Sequence, residues 1–212
     1  MRLPVIVIGA GGHARVLIDA LRLQSIDILG FTDPNAERKE TVFQDVCYLG
    51  DDRIIATYPP SEVRLVNAIG SIGSTEQRKK IYEFFKAKSY FFQSVVHPSA
   101  VISQDVVLLE GVQIMAGVIL QAGSRIGENV IINTKTSVDH DCIIGSHVHL
   151  APGVTLSGGV QVDSGAHVGT GSTVIQWVRI YTNSIVGAGS LVLKNVPPNS
   201  TVYGVPAKEV VN

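Results

Sequence analysis

A period of six residues runs without interruption from Val96 to Pro197, and few folds can accommodate it. Written in sixes the chain reads VHPSAV, ISQDVV, LLEGVQ, IMAGVI and onward to VLKNVP, 17 units in all. The first place is Val, Ile or Leu in all 17, and the fifth is Ala, Val, Ser, Thr or Cys in all 17. A helix repeats its apolar residues roughly every three to four positions and an ordinary sheet alternates them between turns, so neither produces a period of six. A parallel β-helix does, with three short flat faces per coil of 18 residues and each strand pairing one coil away at roughly 4.8 Å. First-place aliphatics then stack inward as three ladders, and the small fifth place fits the crowded corner. The frequent glycines supply the backbone angles that corners demand. The run provides between five and six coils. No insertion breaks it, so no excursion loop is left to carry a site, and chemistry is expected on the prism faces or at subunit contacts.

The first 95 residues have a different composition, with 23 charged side chains against 12 in the remaining 117, and 7 glycines against 14. Val5-Ile6-Val7-Ile8 ends in Gly9-Ala-Gly11-Gly12-His13-Ala14, and Val16-Leu17-Ile18 with Ala20-Leu21 follow at helical spacing. A second strand is expected over 26–32, ending at Asp33-Pro34, and a third over 62–70. Ser74 or Thr75 is placed to cap a helix with Ile81, Phe84 and Phe85 on its apolar face. Strand and helix alternating in this way predict a small parallel α/β sheet, Rossmann-like in its βαβ order. The expected division is residues 1–90 as a nucleotide-binding unit and residues 91–212 as the β-helix with a C-terminal tail.

Charge and cysteine content narrow the class further. A net charge of −1 leaves no electrostatic footprint for nucleic acid or anionic lipid. No apolar run approaches the roughly 20 residues of a membrane span, and the N-terminus lacks a secretion signal. Cys47 and Cys142 are too few for a disulfide framework or a cysteine zinc cluster. The chain reads as soluble, cytoplasmic and free of metal.

Two constellations carry chemistry. Gly9-x-Gly11-x-x-Ala14 has the dinucleotide-binding spacing, between a strand and a helix whose positive end favours phosphate. Asp33, 24 residues after Gly9, is where an acid would hold a ribose hydroxyl. About 90 residues are too few for the doubled fold, so one nucleotide-sized half-site is expected, with His13 donating to a phosphate or capping the turn. A tight turn without ligand is the alternative for any glycine-rich motif. In the repeat, Asp139-His140-Asp141 places an imidazole between two carboxylates, one of which can fix its tautomer and favour its protonated form. His140 holds the third place of its unit, read as an outward flat-face position, and a solvated histidine is the alternative. His149 and His167 both hold the sixth place, 18 residues apart, and stack one coil above the other. A ladder without chemistry, metal ligation and a trimer seam are all open to that pair. Cys142, in the inward fifth place, reads as a core residue.

The unbroken hexapeptides followed by Gly204-Val205-Pro206-Ala207-Lys208 resemble the left-handed β-helix acyltransferases. With Gly9-Ala-Gly-Gly-His13, Asp33-Pro34 and Ala68-Ile69-Gly70 in front, the whole chain is similar to one branch. That branch holds the sugar acetyltransferases related to sialic-acid O-acetyltransferase and to the UDP-4-amino-sugar N-acetyltransferase of bacillosamine synthesis. The resemblance implies a homotrimer, acetyl-CoA in the groove between neighbouring β-helices, no metal, and a nucleotide-linked amino sugar held by the N-terminal unit. By position it implies His140 as general base and Asp141 as its carboxylate partner. His149, Thr170, Ala188 and Lys208 would contact acetyl-CoA, His149 near the thioester and Lys208 near a phosphate. Gly11, Gly12, His13, Asp33, Pro34 and Gly70 would line the nucleotide half-site, with Asn133 as a sugar contact.

The reaction so implied is acetylation of the 4-amino group of a UDP- or GDP-linked amino-dideoxy sugar, by direct transfer in a ternary complex. Acetylation of a sugar hydroxyl is the enzymatic alternative. A zinc lyase of carbonic-anhydrase type would need three histidines converging across a subunit seam and has no use for the nucleotide-like unit.

Overall fold

In a computed structural model, residues 3–35 and 45–210 are described, and they form two joined layers of architecture. The first is a four-stranded parallel sheet of β1 (Val5–Ile8), β2 (Ile28–Thr32), β3 (Tyr48–Gly50) and β4 (Arg64–Asn67), in the order β3-β2-β1-β4. Two helices flank it, α1 (Gly12–Leu23) and α2 (Glu76–Lys86). The continuous apolar run of β1 is buried on both sides, as a central parallel strand requires. Val5 and Val7 pack with Leu17, Ile18 and Leu21 of α1, while Ile6 and Ile8 pack with Tyr82 and Phe85 of α2. β3 and a 3-10 turn over Asp52–Thr57 add to the elements expected from sequence.

Of the three residues expected on the apolar side of α2, Phe85 is buried and Ile81 packs against the same cluster, and only Phe84 departs. Arg78, Tyr82 and Phe85 face inward, whereas Phe84 is half exposed beneath Lys88, whose Nζ lies 4.0 Å from the ring centroid. Ser74 Oγ accepts the Glu76 N–H at 3.3 Å, and the Thr75 hydroxyl instead donates to Gly165 O on the second body.

That body is a parallel β-helix. Two-residue strands begin every six residues from β5 (Val95–Val96) to β21 (Leu191–Val192), each paired with the strand 18 residues away, as Ile131 with His149 and His149 with His167. The first-place aliphatics from Ile114 to Val192 are buried in one core, together with the fifth-place residues between Val112 and Val196. Each strand spans places six and one, so the third and fourth places form the corner. From Gly111 to Gly189 the fourth place has positive φ in every unit. Of those 14 corners 8 are glycine, and the others are Asn129, Lys135, Asp141, His147, Trp177 and Asn183. A hairpin of β22 (Thr201–Gly204) and β23 (Ala207–Glu209) closes the last coil.

The three faces are chemically unequal. The first, with outward residues Gln113, Ile131, His149 and His167, is buried where the N-terminal unit and its connecting loop lie against it. The second presents Val101, Ile119, Ser137, Thr155, Thr173 and Leu191 at the sixth place, none of them charged. The third carries Arg125 and Arg179, the latter paired with Asp163 at 3.0 Å. Among the described residues no helix is long and apolar enough to cross a membrane.

Candidate active site

His140 stands on the corner between the second and third faces, because the strands around it are Ser137–Val138 and Ile143–Ile144. The third place is therefore a corner rather than a flat-face position, and the ring is thrown outward into solvent. Asp141 follows in the left-handed conformation, φ 59°, which turns its carboxylate back onto the ring. Asp141 Oδ2 lies 2.8 Å from His140 Nδ1, and the His140 N–H donates to Asp139 Oδ1 at 2.8 Å. A carboxylate on Nδ1 fixes the proton there and leaves the lone pair on Nε2. The hydrogen bond that His140 Nδ1–H donates to Asp141 raises the His140 pKa above its ordinary 6.5, and the Asp139 and Asp141 charges add to the effect. Gly158, one coil on, makes room for the ring: a Cβ there would lie 2.5 Å from Nε2. Together these give an exposed imidazole, oriented and basic, on a rigid edge.

His149 belongs to the first face, and no contact joins it to His140 within one chain. It lines a cavity of about 420 Å³ with Ser71, His167, Thr170, Ala188 and their neighbours. Asn133 Oδ1 accepts the Thr134 N–H at 2.8 Å, which turns its amide nitrogen toward His149 Nε2 at 3.4 Å. His149 Nε2 thus accepts, and its Nδ1–H donates to Ser71 Oγ at 2.7 Å. Burial, followed by the positive charges of its neighbours, keeps the His149 pKa well below 6.5, so the ring is neutral. His167 meets it edge to face with centroids 5.0 Å apart, and the buried His167 Nδ1 has no protein partner among the described residues. Thr170 and Ala188 line the same cavity as His149, whereas Lys208 lies apart on the terminal hairpin.

The nucleotide-side residues divide into two groups. Gly9, Asp33 and Pro34 line a cleft of about 220 Å³ at the carboxyl end of the sheet, where ligands of open α/β sheets bind. A side chain at Gly9 would lie 2.8 Å from Ile69 Cδ1, while Gly11 and Gly12 face open space at the start of α1. Asp33 is buried, and it ties the turn down by accepting the Ala10 N–H at 2.9 Å on one oxygen and the Asn35 N–H at 2.9 Å on the other. His13 does not cap α1. Its Nε2–H donates to Gln113 Oε1 at 2.7 Å, and Gln113 Nε2 donates to Asn67 O at 2.7 Å. Gly70 packs against His13 Cβ.

Sequence reasoning missed the junction that this network builds. Arg78 is fully buried between the two bodies, donating from Nη1 to Asn129 O, while its Nε and Nη2 have no partner among the described residues. Burial lowers its pKa to about 9, so it stays charged near neutrality. Burial and then the Arg78 charge hold His147 down to about 4, and the same charge acts on His13 and His149. Ser71 and Gln113 are the other unforeseen members; the only signal for Gln113 is its sixth place in the ladder that also holds His149 and His167.

Cys142 is buried, its thiol lies 3.4 Å from Ser157 O, and burial pushes its pKa up to about 11. A thiol so placed is no nucleophile.

Comparison with known proteins shows the family and the fold. Residues 4–85 match the PglD N-terminal domain family, and residues 123–158 match the bacterial transferase hexapeptide family of six repeats. A perosamine N-acetyltransferase from Caulobacter crescentus, solved as a point mutant with CoA and GDP-perosamine, is 38% identical with a TM-score of 0.90. The match covers 99% of this chain and 97% of that one. The acetyltransferase domain of PglB from Neisseria gonorrhoeae, solved with acetyl coenzyme A, is 28% identical with a TM-score of 0.91, over 99% and 100% of the two chains. An acyl-[acyl-carrier-protein]–UDP-N-acetylglucosamine O-acyltransferase from Pseudomonas paraeruginosa is 37% identical over 109 residues, 51% of this chain. The chain spans 42% of the length of that curated relative. A PglD-type domain joined to a hexapeptide β-helix, and a full-length relative of the same construction, place this chain in the family of hexapeptide-repeat sugar acetyltransferases.

Proposed function

We propose that the protein transfers the acetyl group of acetyl-CoA to the 4-amino group of a nucleotide-linked amino-dideoxy sugar, as a homotrimer. Residues 1–90 would bind the nucleotide sugar and residues 91–212 would carry the transfer. The observation that carries this reading is the His140–Asp141 pair at 2.8 Å, a basic nitrogen presented outward from a rigid corner.

The trimer follows from the faces. The second face, whose sixth-place residues carry no charge, is the one suited to burial around a three-fold axis, and Val101 is 64% exposed on it in the single chain. Packing it inward sets the His140 corner of one protomer beside the neighbour's corner that bears Thr170 and Ala188. The cavity lined by His149, Thr170 and Ala188 would hold the cosubstrate arm, and Lys208 would meet a phosphate. The nucleotide sugar would lie along the Gly9–Asp33–Pro34 cleft with its phosphates at the open Gly11–Gly12 start of α1, Gly70 behind them and Asn133 toward the sugar.

A neutral amine attacks a thioester without an acyl-enzyme. The amine nitrogen bonds to the thioester carbon, His140 Nε2 takes the proton from nitrogen, and the C–S bond breaks to release CoA as its thiol after protonation. Positioning of the two substrates supplies on the order of several kcal/mol, and a backbone N–H of the coil meets the oxyanion. Two findings support direct transfer: the buried, weakly acidic Cys142 and the free lone pair on His140.

The test is a thiol-release assay with acetyl-CoA against UDP- and GDP-linked 4-amino sugars and sialic acid. Turnover on a nucleotide-linked amine, lost by on the order of 100-fold or more in His140→Ala with acetyl-CoA affinity nearly unchanged, is the expected result. A fully active His140→Ala enzyme ends the assignment.

A further inference from the structure

Trp177 is the only tryptophan in the chain, and it is 72% exposed. Its φ of 63° lies in the left-handed region, where a bulky side chain is strained and where most corners of this β-helix use glycine. Nothing in the core is gained by that strain, yet the indole is carefully seated. The indole lies over Gly159, where any side chain would run into the ring. Gly158 is also the residue that makes room for His140. The Gly158–Gly159 pair therefore seats two rings on one corner, the imidazole from the coil before and the indole from the coil after.

Height along a β-helix follows residue number. Trp177 falls between Thr170 and Ala188, so on a neighbouring protomer of a parallel trimer its corner faces that stretch of the cavity. This inference rests on the acetyl-CoA reading above. We infer that Trp177 binds the cosubstrate: its indole forms the wall of the groove opposite the neighbour's Thr170 and Ala188 and packs its face on the pantetheine arm. An indole offers a large rigid apolar surface and one N–H donor, which suits a chain of methylenes and amides.

Because the chain has no second tryptophan, the emission of the wild-type protein reports this one site. Titration with CoA, followed in parallel by calorimetry, should change the emission with the same midpoint as the heat, while a nucleotide sugar alone leaves it unchanged. In Trp177→Gly, which keeps the left-handed corner, KM for acetyl-CoA should rise about tenfold, equivalent to roughly 1.4 kcal/mol. Its kcat and its KM for the sugar should stay within about twofold. Trp177→Asn, also tolerant of that backbone, should behave alike. Heat of CoA binding without a change in emission, or an unchanged KM in both variants, overturns the assignment and leaves the transferase reading standing. A variant trimer that falls apart on sedimentation also overturns it, because the indole then serves subunit packing. No heat at all removes the cosubstrate, and both readings fail together.

Discussion

Lowering the pH from about 7 to about 5 should destabilise this protein markedly, and His13 sets the scale. Its ring is buried at the junction; burial outweighs the stabilising Gln113 hydrogen bond, and the Arg78 charge adds to the depression, which carries its pKa from 6.5 to about 4. The folded state therefore holds the neutral ring, while the unfolded chain takes up a proton below pH 6.5. The stability this contributes is fully present above pH 6.5 and is lost progressively as the pH falls toward 4. At pH 5 the unfolded chain is almost fully protonated there and the folded one almost not at all. At about 1.36 kcal/mol per unit, that difference is on the order of 2 kcal/mol from this residue alone. His147, His149 and His167 are lowered in the same direction, so the total exceeds it. Against a typical domain stability of about 5–15 kcal/mol the loss is large. Urea unfolding at the two pH values, at fixed protomer concentration, measures it. His13→Gln, which keeps a donor for Gln113 but cannot titrate, should remove roughly 2 kcal/mol of the pH dependence. Stability that is flat or rises between pH 7 and 5, or a variant with the wild-type slope, refutes the reasoning.

Asp141→Asn should move the acidic limb of the kcat profile to lower pH, because the hydrogen bond that raises the His140 pKa is gone, and should lower kcat by roughly tenfold or more. Asparagine tolerates the left-handed corner, so a normal melting curve beside the altered profile separates chemistry from folding. Cys142→Ala should keep kcat within about twofold and cost about 1 kcal/mol in urea unfolding; loss of turnover without loss of fold would restore a covalent route. Gly9→Ala places a Cβ 2.8 Å from Ile69 Cδ1 at φ 103° and should cost about 1–3 kcal/mol of stability while weakening nucleotide-sugar binding.

Some of these features were legible in the chain and others were not. The ladders of Ile114, Leu120, Ile126 and their successors could be read because a β-helix imposes its period on every coil, so a single burial rule is written 17 times. The position of His140 within the coil was misjudged for want of one detail: strands occupy places six and one, and the third and fourth places make the turn. β3 was missed because three half-buried residues, Tyr48–Gly50, carry no period to detect. On α2, Ile81 and Phe85 are legible as core-facing, but not the outward turn of Phe84, because the buried side also takes Arg78, a residue type normally left in water.

The order of residues settles the architecture, since strand, glycine turn and helix in front of an unbroken hexapeptide repeat each satisfy a local backbone rule. It also settles which side chains are chemically capable, among them His140 beside Asp141. The partnerships of those side chains are fixed by packing alone. His13 turning to Gln113, Ser71 holding His149, and the buried Arg78 charge depressing three imidazoles all join residues far apart in the chain. Their energies come from desolvation, which depends on what surrounds a group in space and leaves no periodic mark on the sequence.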